Sequence, residues 1–168
     1  MAYFYFDASA LVKYYIREPG YTWVRECVDA QLPGSVVRCH TAFMADVSTT
    51  ETAAAFAILH RTGRISKRLW DASFDQFMGD IGSRFSLVGT QREDYFTAAY
   101  LTKRHPLKAY DAVQLAVALR QQRALAAYRL ALTFVSGDGR LLEAAQAEGL
   151  AVENPFDHVA PEDSAPRA

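Results

Sequence analysis

Four acids, far apart along the chain, stand where strand-like segments give way to helices or where a buried helix begins: Asp7, Glu51, Asp111 and Asp138. Asp7 ends the aromatic run Tyr3-Phe4-Tyr5-Phe6, too short and too rich in β-formers for a helix. The chain then passes directly into a helix whose apolar stripe is Leu11, Val12, Tyr15 and Ile16. An acid at that junction lies at the carboxyl end of a strand, the edge where open α/β sheets collect their ligands. Glu51 belongs to the start of the helix after a second strand, and Asp138 follows a fourth strand within Ser136-Gly137-Asp138-Gly139-Arg140. Asp111 leads into Ala112-Val113-Gln114-Leu115-Ala116-Val117-Ala118-Leu119, a segment apolar nearly all the way round and so a buried helix. A carboxylate entering such a helix is costly without a cation or several donors.

Each acid also has a plainer use. Asp7 can cap the first helix. Ser48-x-x-Glu51 fits a capping box, Asp138 fits a cap or a Gly-Asp-Gly turn, and Asp111 can pair with Lys108 or Arg104. Asp46, five residues before Glu51, is a rival for the second position. These separate roles leave unexplained why the acids would gather at one sheet edge. If they gather, they repel one another, and some would hold protons at neutral pH unless a divalent ion were present. Oxygen donors without His or Cys favour Mg²⁺ or Mn²⁺ over zinc. Such a site suits hydrolysis of a phosphodiester, because the ion activates water and stabilises the departing oxygen.

The elements that must position these acids alternate. A turn at Glu18-Pro19-Gly20 leads to a helix over about 21–31, and the preferred second strand runs from Ala42 to Val47. Helices are expected from Ser48 to Arg61, Ser66 to Asp80, Glu93 to Lys103 and Leu107 to Ala126. Strands are expected over Phe85 to Val88, Ala131 to Val135 and Leu150 to Val152, with a last helix over Arg140 to Glu148. Alternation of this kind implies a central parallel sheet with helices on both faces.

Together, Asp7-x-Ser9-Ala10-Leu11-x-Lys13, Glu51 within Ser48-Thr49-Thr50-Glu51, Asp111-Ala112-Val113-Gln114-Leu115-Ala116, and Ser136-x-Asp138-x-Arg140-Leu141-Leu142 resemble the motifs of the PIN-domain nucleases. Within these the chain most resembles VapC-type toxins of bacterial toxin–antitoxin pairs, over about residues 3 to 155. The resemblance implies a three-layer α/β/α sandwich and a Mg²⁺- or Mn²⁺-dependent endoribonuclease. It also implies a homodimer and inhibition by a small cognate antitoxin. Under it, Asp7, Glu51, Asp111 and Asp138 bind metal, and Ser9 and Ser136 orient those acids or a water. Arg38-Cys39-His40-Thr41 and Asp46 depart from the plain apolar strand expected before Glu51. Two other readings stay open: a non-catalytic PIN-like module that binds RNA or protein, and a Mg²⁺-dependent phosphoacceptor domain. The second lacks an adjacent acid pair after the first strand.

With 18 basic against 19 acidic residues, the net charge is −1, so RNA would be held by a local patch rather than by the whole surface. Candidates are Lys13, Arg17, Arg61, Arg64, Lys67, Arg68 and Arg140; Tyr14 and Tyr15 are candidates for base stacking, with at least one of them expected to pack in the core instead. Cys27 and Cys39 are too few for a disulfide framework, and no apolar run reaches membrane-spanning length. A cytoplasmic protein is expected, with one PIN-like nuclease domain over residues 1–153 and a loosely ordered tail over 154–168.

Overall fold

The computed structural model describes residues 1–164. Its centre is strand β1 (Tyr3–Phe6), which pairs in parallel with β2 (Thr41–Ala45) on one side and β4 (Leu132–Val135) on the other. Strands β3 (Ser86–Val88) and β5 (Ala151–Glu153) form the edges, giving a five-stranded parallel sheet in the order β3-β2-β1-β4-β5. The four aromatic residues of β1 alternate between the faces. Phe6 is buried with α1 (Ala8–Tyr15), α2 (Tyr21–Asp29), α3 (Val47–Arg61) and α4 (Lys67–Asp80). Tyr5 is buried with α5 (Arg92–Arg104), α6 (Ala109–Ala126) and α7 (Gly139–Ala147). The expected three-layer α/β/α sandwich with a central parallel sheet is therefore the observed architecture, and it sets the carboxyl ends of β1, β2 and β4 along one edge.

Two local readings are corrected. Strand β2 stops at Ala45, not Val47, because Asp46 turns the chain by accepting from the Val47 amide and becomes the cap of α3. Between α2 and β2, Val36 and Val37 lie exposed in a loop closed by an antiparallel bridge between Gln31 and Arg38. Tyr14 and Tyr15 are buried rather than available for stacking, with their hydroxyls donating to Asp29 and Asp80.

The chain beyond β5 is bonded to the body as far as residue 164. Pro155–Asp157 and Pro161–Ser164 form short 3-10 turns, and the Asp163 carboxylate accepts from the Gly20 and Thr22 amides at 3.0 and 3.1 Å. The loosely ordered tail expected from 154 is thus replaced over this stretch by turns pinned to the start of α2; residues 165–168 lie outside the described residues.

Candidate functional site

Asp7 is the hub. The β1 strand delivers it to the sheet edge, its amide bonds to the Val135 carbonyl, and its side chain caps α1 through the Ala10 amide at 2.9 Å. Ser9 and Ser136 each donate a hydroxyl to it, at 2.8 Å, one to each carboxylate oxygen. Ser9 in turn accepts from the Gly137 amide at 2.7 Å, and Ser136 accepts from the Asp138 amide at 3.0 Å. This lattice ties the β1–α1 corner to the β4–α7 corner, where Asp138 caps α7 by accepting from the Arg140 and Leu141 amides. The capping roles open to Asp7 and Asp138 are both realised, and each residue lines the cleft as well.

One cavity of about 240 Å³ is lined by Asp7, Ser9, Glu51, Asp111, Gln114 and Asp138, so all four expected acids share it. Asp111 and Asp138 also line its continuation, where Lys108 and Arg140 stand. Glu51 forms no capping box with Ser48. Both residues instead accept from the Gln114 amide nitrogen at 2.7 Å, while the Gln114 carbonyl accepts from Tyr5. Gln114 is the residue whose part sequence reasoning did not assign. Its signal was present, a buried amide one helical turn beyond Asp111 on an otherwise apolar helix.

Asp46, the rival acid, is otherwise employed. It accepts from the amide and hydroxyl of Thr90 and from the Val47 amide, and these bonds hold its carboxyl below the usual range. It does not line the cavity.

Electrostatics set Asp7, Glu51 and Asp111 apart from the other carboxylates. Burial raises the Asp7 carboxyl to about 6, despite the Ala10, Ser9 and Ser136 donors, and Glu51 adds to the rise. Burial also raises Glu51, reinforced by the charge of Asp111, and raises Asp111, reinforced by the charge of Asp138. Ion pairs to Lys, Arg or His are made elsewhere on the surface; among the described residues none reaches Asp7, Glu51, Asp111 or Asp138. A row of partly buried carboxylates without a paired cation is the environment a hard divalent ion relieves, and every donor on the row is oxygen. Among the described residues no three His, Cys, Asp or Glu side chains stand together so that they could hold a metal ion by themselves. In donor chemistry alone, the all-oxygen lining suits Mg²⁺ or Mn²⁺, ions that commonly keep water or substrate oxygens among their ligands.

Solved structures share this architecture. VapBC2 from Rickettsia felis, in a complex bound to a DNA fragment from its promoter, superposes with a TM-score of 0.59 at 13% identity, over 90% of this chain and 98% of that one. The fold is PIN-like. Mycobacterium tuberculosis VapC20, a sarcin-ricin loop cleaving toxin, gives 0.57 at 14% identity, over 88% and 96% of the two chains. PAE2754 from Pyrobaculum aerophilum gives 0.57 at 17% identity, over 94% and 85%. No family model and no curated protein sequence matches the chain. At such identities the likeness is one of fold, and the chemistry of this PIN-like chain has to be argued from its own cleft.

The remaining expected groups separate. Arg140 reaches the cleft, Lys67 pairs with Asp71, and Arg64 pairs with Glu18. Lys13 is buried, its ammonium over the Phe156 ring in a neighbouring cavity. His40, His105 and His158 bond to Ala2, Glu148 and Glu153, away from the acids. Cys27 and Cys39 are free thiols, and among the described residues no helix is long and apolar enough to cross a membrane.

Proposed function

We propose that this chain is a divalent-metal-dependent endoribonuclease acting as the toxin of a toxin–antitoxin pair. The observation that carries the reading is the single cavity shared by Asp7, Glu51, Asp111 and Asp138, with burial raising three of these carboxyls and, among the described residues, no ion pair made to any of the four. The neighbour described as cleaving the sarcin-ricin loop supports RNA as the substrate.

Asp7, Glu51, Asp111 and Asp138 would hold Mg²⁺ or Mn²⁺. When bound, the ion supplies the counter-charge that lets these acids ionise together and the Lewis acidity that phosphodiester hydrolysis needs. The chain's own residues supply placement. Ser9 and Ser136 fix both oxygens of Asp7, and Gln114 fixes Glu51 from the opposite helix. Lys108 and Arg140, beside Asp111 and Asp138, are placed to hold RNA phosphates flanking the cut.

Partner assignments follow the same reading. Exposed Phe74 and Met78 on α4, beside the shallow cavity lined by Trp70 and Phe74, suit the apolar face of an antitoxin segment. Exposed Tyr95, Phe96 and Tyr100 on α5 suit a homodimer. The protein is assigned to the cytoplasm.

The deciding experiment is cleavage of a single-stranded RNA with and without Mg²⁺ or Mn²⁺. Asp7→Asn and Asp111→Asn are each expected to lose at least about a hundredfold in rate, while Asp46→Asn keeps cleavage. Equal rates in all three variants would overturn the proposal. RNA binding with no metal-dependent cleavage would make the chain a binding module instead.

A further inference from the structure

A second cavity, of about 270 Å³, adjoins the acidic cleft and shares Ser9 and Ala55 with it. Its walls are apolar, formed by Val12, Ile58 and Leu59 from α1 and α3 and closed by the Phe156 ring. Gly137 lines this cavity, and a Cβ there would lie 3.2 Å from Phe156 Cε2 and 3.3 Å from Ser9 Oγ, so a side chain at this position would crowd both.

Three charged side chains, Lys13, Glu18 and Arg64, line this apolar space. Lys13 is 2% exposed, its Nζ 3.8 Å from the centroid of the Phe156 ring and paired with Glu18 at 3.6 Å from Oε2. An ammonium has three donors, so donor capacity remains at the cavity wall. Glu18 pairs with Arg64 at 2.9 Å through Oε1, which leaves acceptor capacity on both oxygens. With Arg64 also at the wall and paired to Glu18, the cluster sets ammonium and guanidinium donors beside carboxylate acceptors, which an apolar side chain would not engage. They suit a flat, unsaturated group with an acceptor next to donors on one edge.

Nucleobases have such an edge, and guanine matches it best. Its O6 acceptor adjoins two donor groups, N1–H and N2–H, whereas uracil offers one donor, and adenine and cytosine offer a single amino group beside ring acceptors. We propose that this cavity is a guanine subsite for the base next to the scissile phosphate, with Glu18 accepting from N1–H and N2–H and Lys13 donating to O6. Its place on an RNA rests on the nuclease reading above; its choice of base does not.

The test is titration of the full chain, without added metal, with each of the four nucleoside 5′-monophosphates, followed by calorimetry or by amide chemical shifts. Guanosine monophosphate is expected to bind about tenfold more tightly than the others. Glu18→Gln is expected to erase that margin. Ile58→Trp, a change at a rim residue that is 52% exposed, is expected to block all four by filling the cavity. Thermal melts of both variants check that they fold. Equal binding of the four, preference for another base, no binding at all, or a guanine margin that survives Glu18→Gln would each overturn the proposal. Cleavage separates the two readings. A protein that cuts RNA with no base preference beside the cut defeats the subsite alone, and one that prefers guanosine monophosphate but never cuts defeats the nuclease alone.

Discussion

At the residue scale, Asp7 contributes in two opposed ways. Its carboxylate organises the site by accepting from Ala10, Ser9 and Ser136, yet burial raises it to about 6, from an ordinary value near 3.8. Between those two values the folded chain keeps a proton that the unfolded chain has released, so stability contributed by this group falls as pH rises and levels off above about 6. The full effect is on the order of 2–3 kcal/mol. Asp46 and Asp163 act in the other direction. Their lowered carboxyls contribute stability above the ordinary carboxylate value and lose it as pH falls through their folded values. The difference between the wild-type chain and Asp7→Asn isolates the first term: urea midpoints in metal-free buffer are expected to converge near pH 4 and to separate in favour of the variant by pH 7. A variant less stable at pH 7 would show that the accepted hydrogen bonds outweigh the buried charge. Gln114 is a different kind of residue, since it bridges Tyr5, Ser48 and Glu51. Gln114→Leu is expected to cost ~1–3 kcal/mol by stranding buried polar groups, and to slow cleavage through a misplaced Glu51. Gln114→Glu, which puts another carboxylate beside Glu51, is expected to slow cleavage further at pH 8 than at pH 6, a contrast that a purely structural role would not produce.

At the element scale, the β1–α1 unit was legible because its aromatic run, its acid and its helix stripe are contiguous, and local pattern was enough. The corner between β2 and α3 was less so. Ser48-x-x-Glu51 carries the signature of a capping box, but Asp46 takes the cap, because Thr90 on the following strand connection supplies two further donors to it. That partner is 44 residues away and leaves no local trace. The segment after β5 shows the same limit: prolines and mixed charge read as loose, and the contacts from Asp163 to Gly20 and Thr22 span 143 and 141 residues. Gly20 marks where this segment docks. Its φ is +89°, and a Cβ there would lie 2.3 Å from the Pro155 carbonyl oxygen. Gly20→Ala is therefore expected to cost more than ~1 kcal/mol, from the left-handed backbone and from displacement of the Pro155 turn. Amide hydrogen exchange gives the sharper readout: faster exchange over residues 155–163 together with the start of α2. Faster exchange spread evenly over the chain would instead mean that the docking is not a local unit.

At the scale of the whole molecule, the sheet brings together four acids from four separate stretches of a chain whose charge is nearly balanced, and folding itself bears the cost of their proximity. A divalent ion that binds the folded cleft and not the unfolded chain returns stability by mass action, about 2.7 kcal/mol at a hundred times its Kd. Its pH dependence must oppose that of the metal-free chain, because the ion competes with protons for the same carboxylates. Thus, added Mg²⁺ or Mn²⁺ is expected to raise the melting temperature at pH 7.5, to do less near pH 6 where Asp7 is half protonated, and to do nothing at pH 4. The shift should disappear in Asp7→Asn and Asp111→Asn and persist in Asp46→Asn, whose carboxylate is already committed to Thr90 and Val47. A shift of the same size in all of these variants would mean that the ion binds elsewhere, and the four acids would then be helix caps and buried charges without a common purpose.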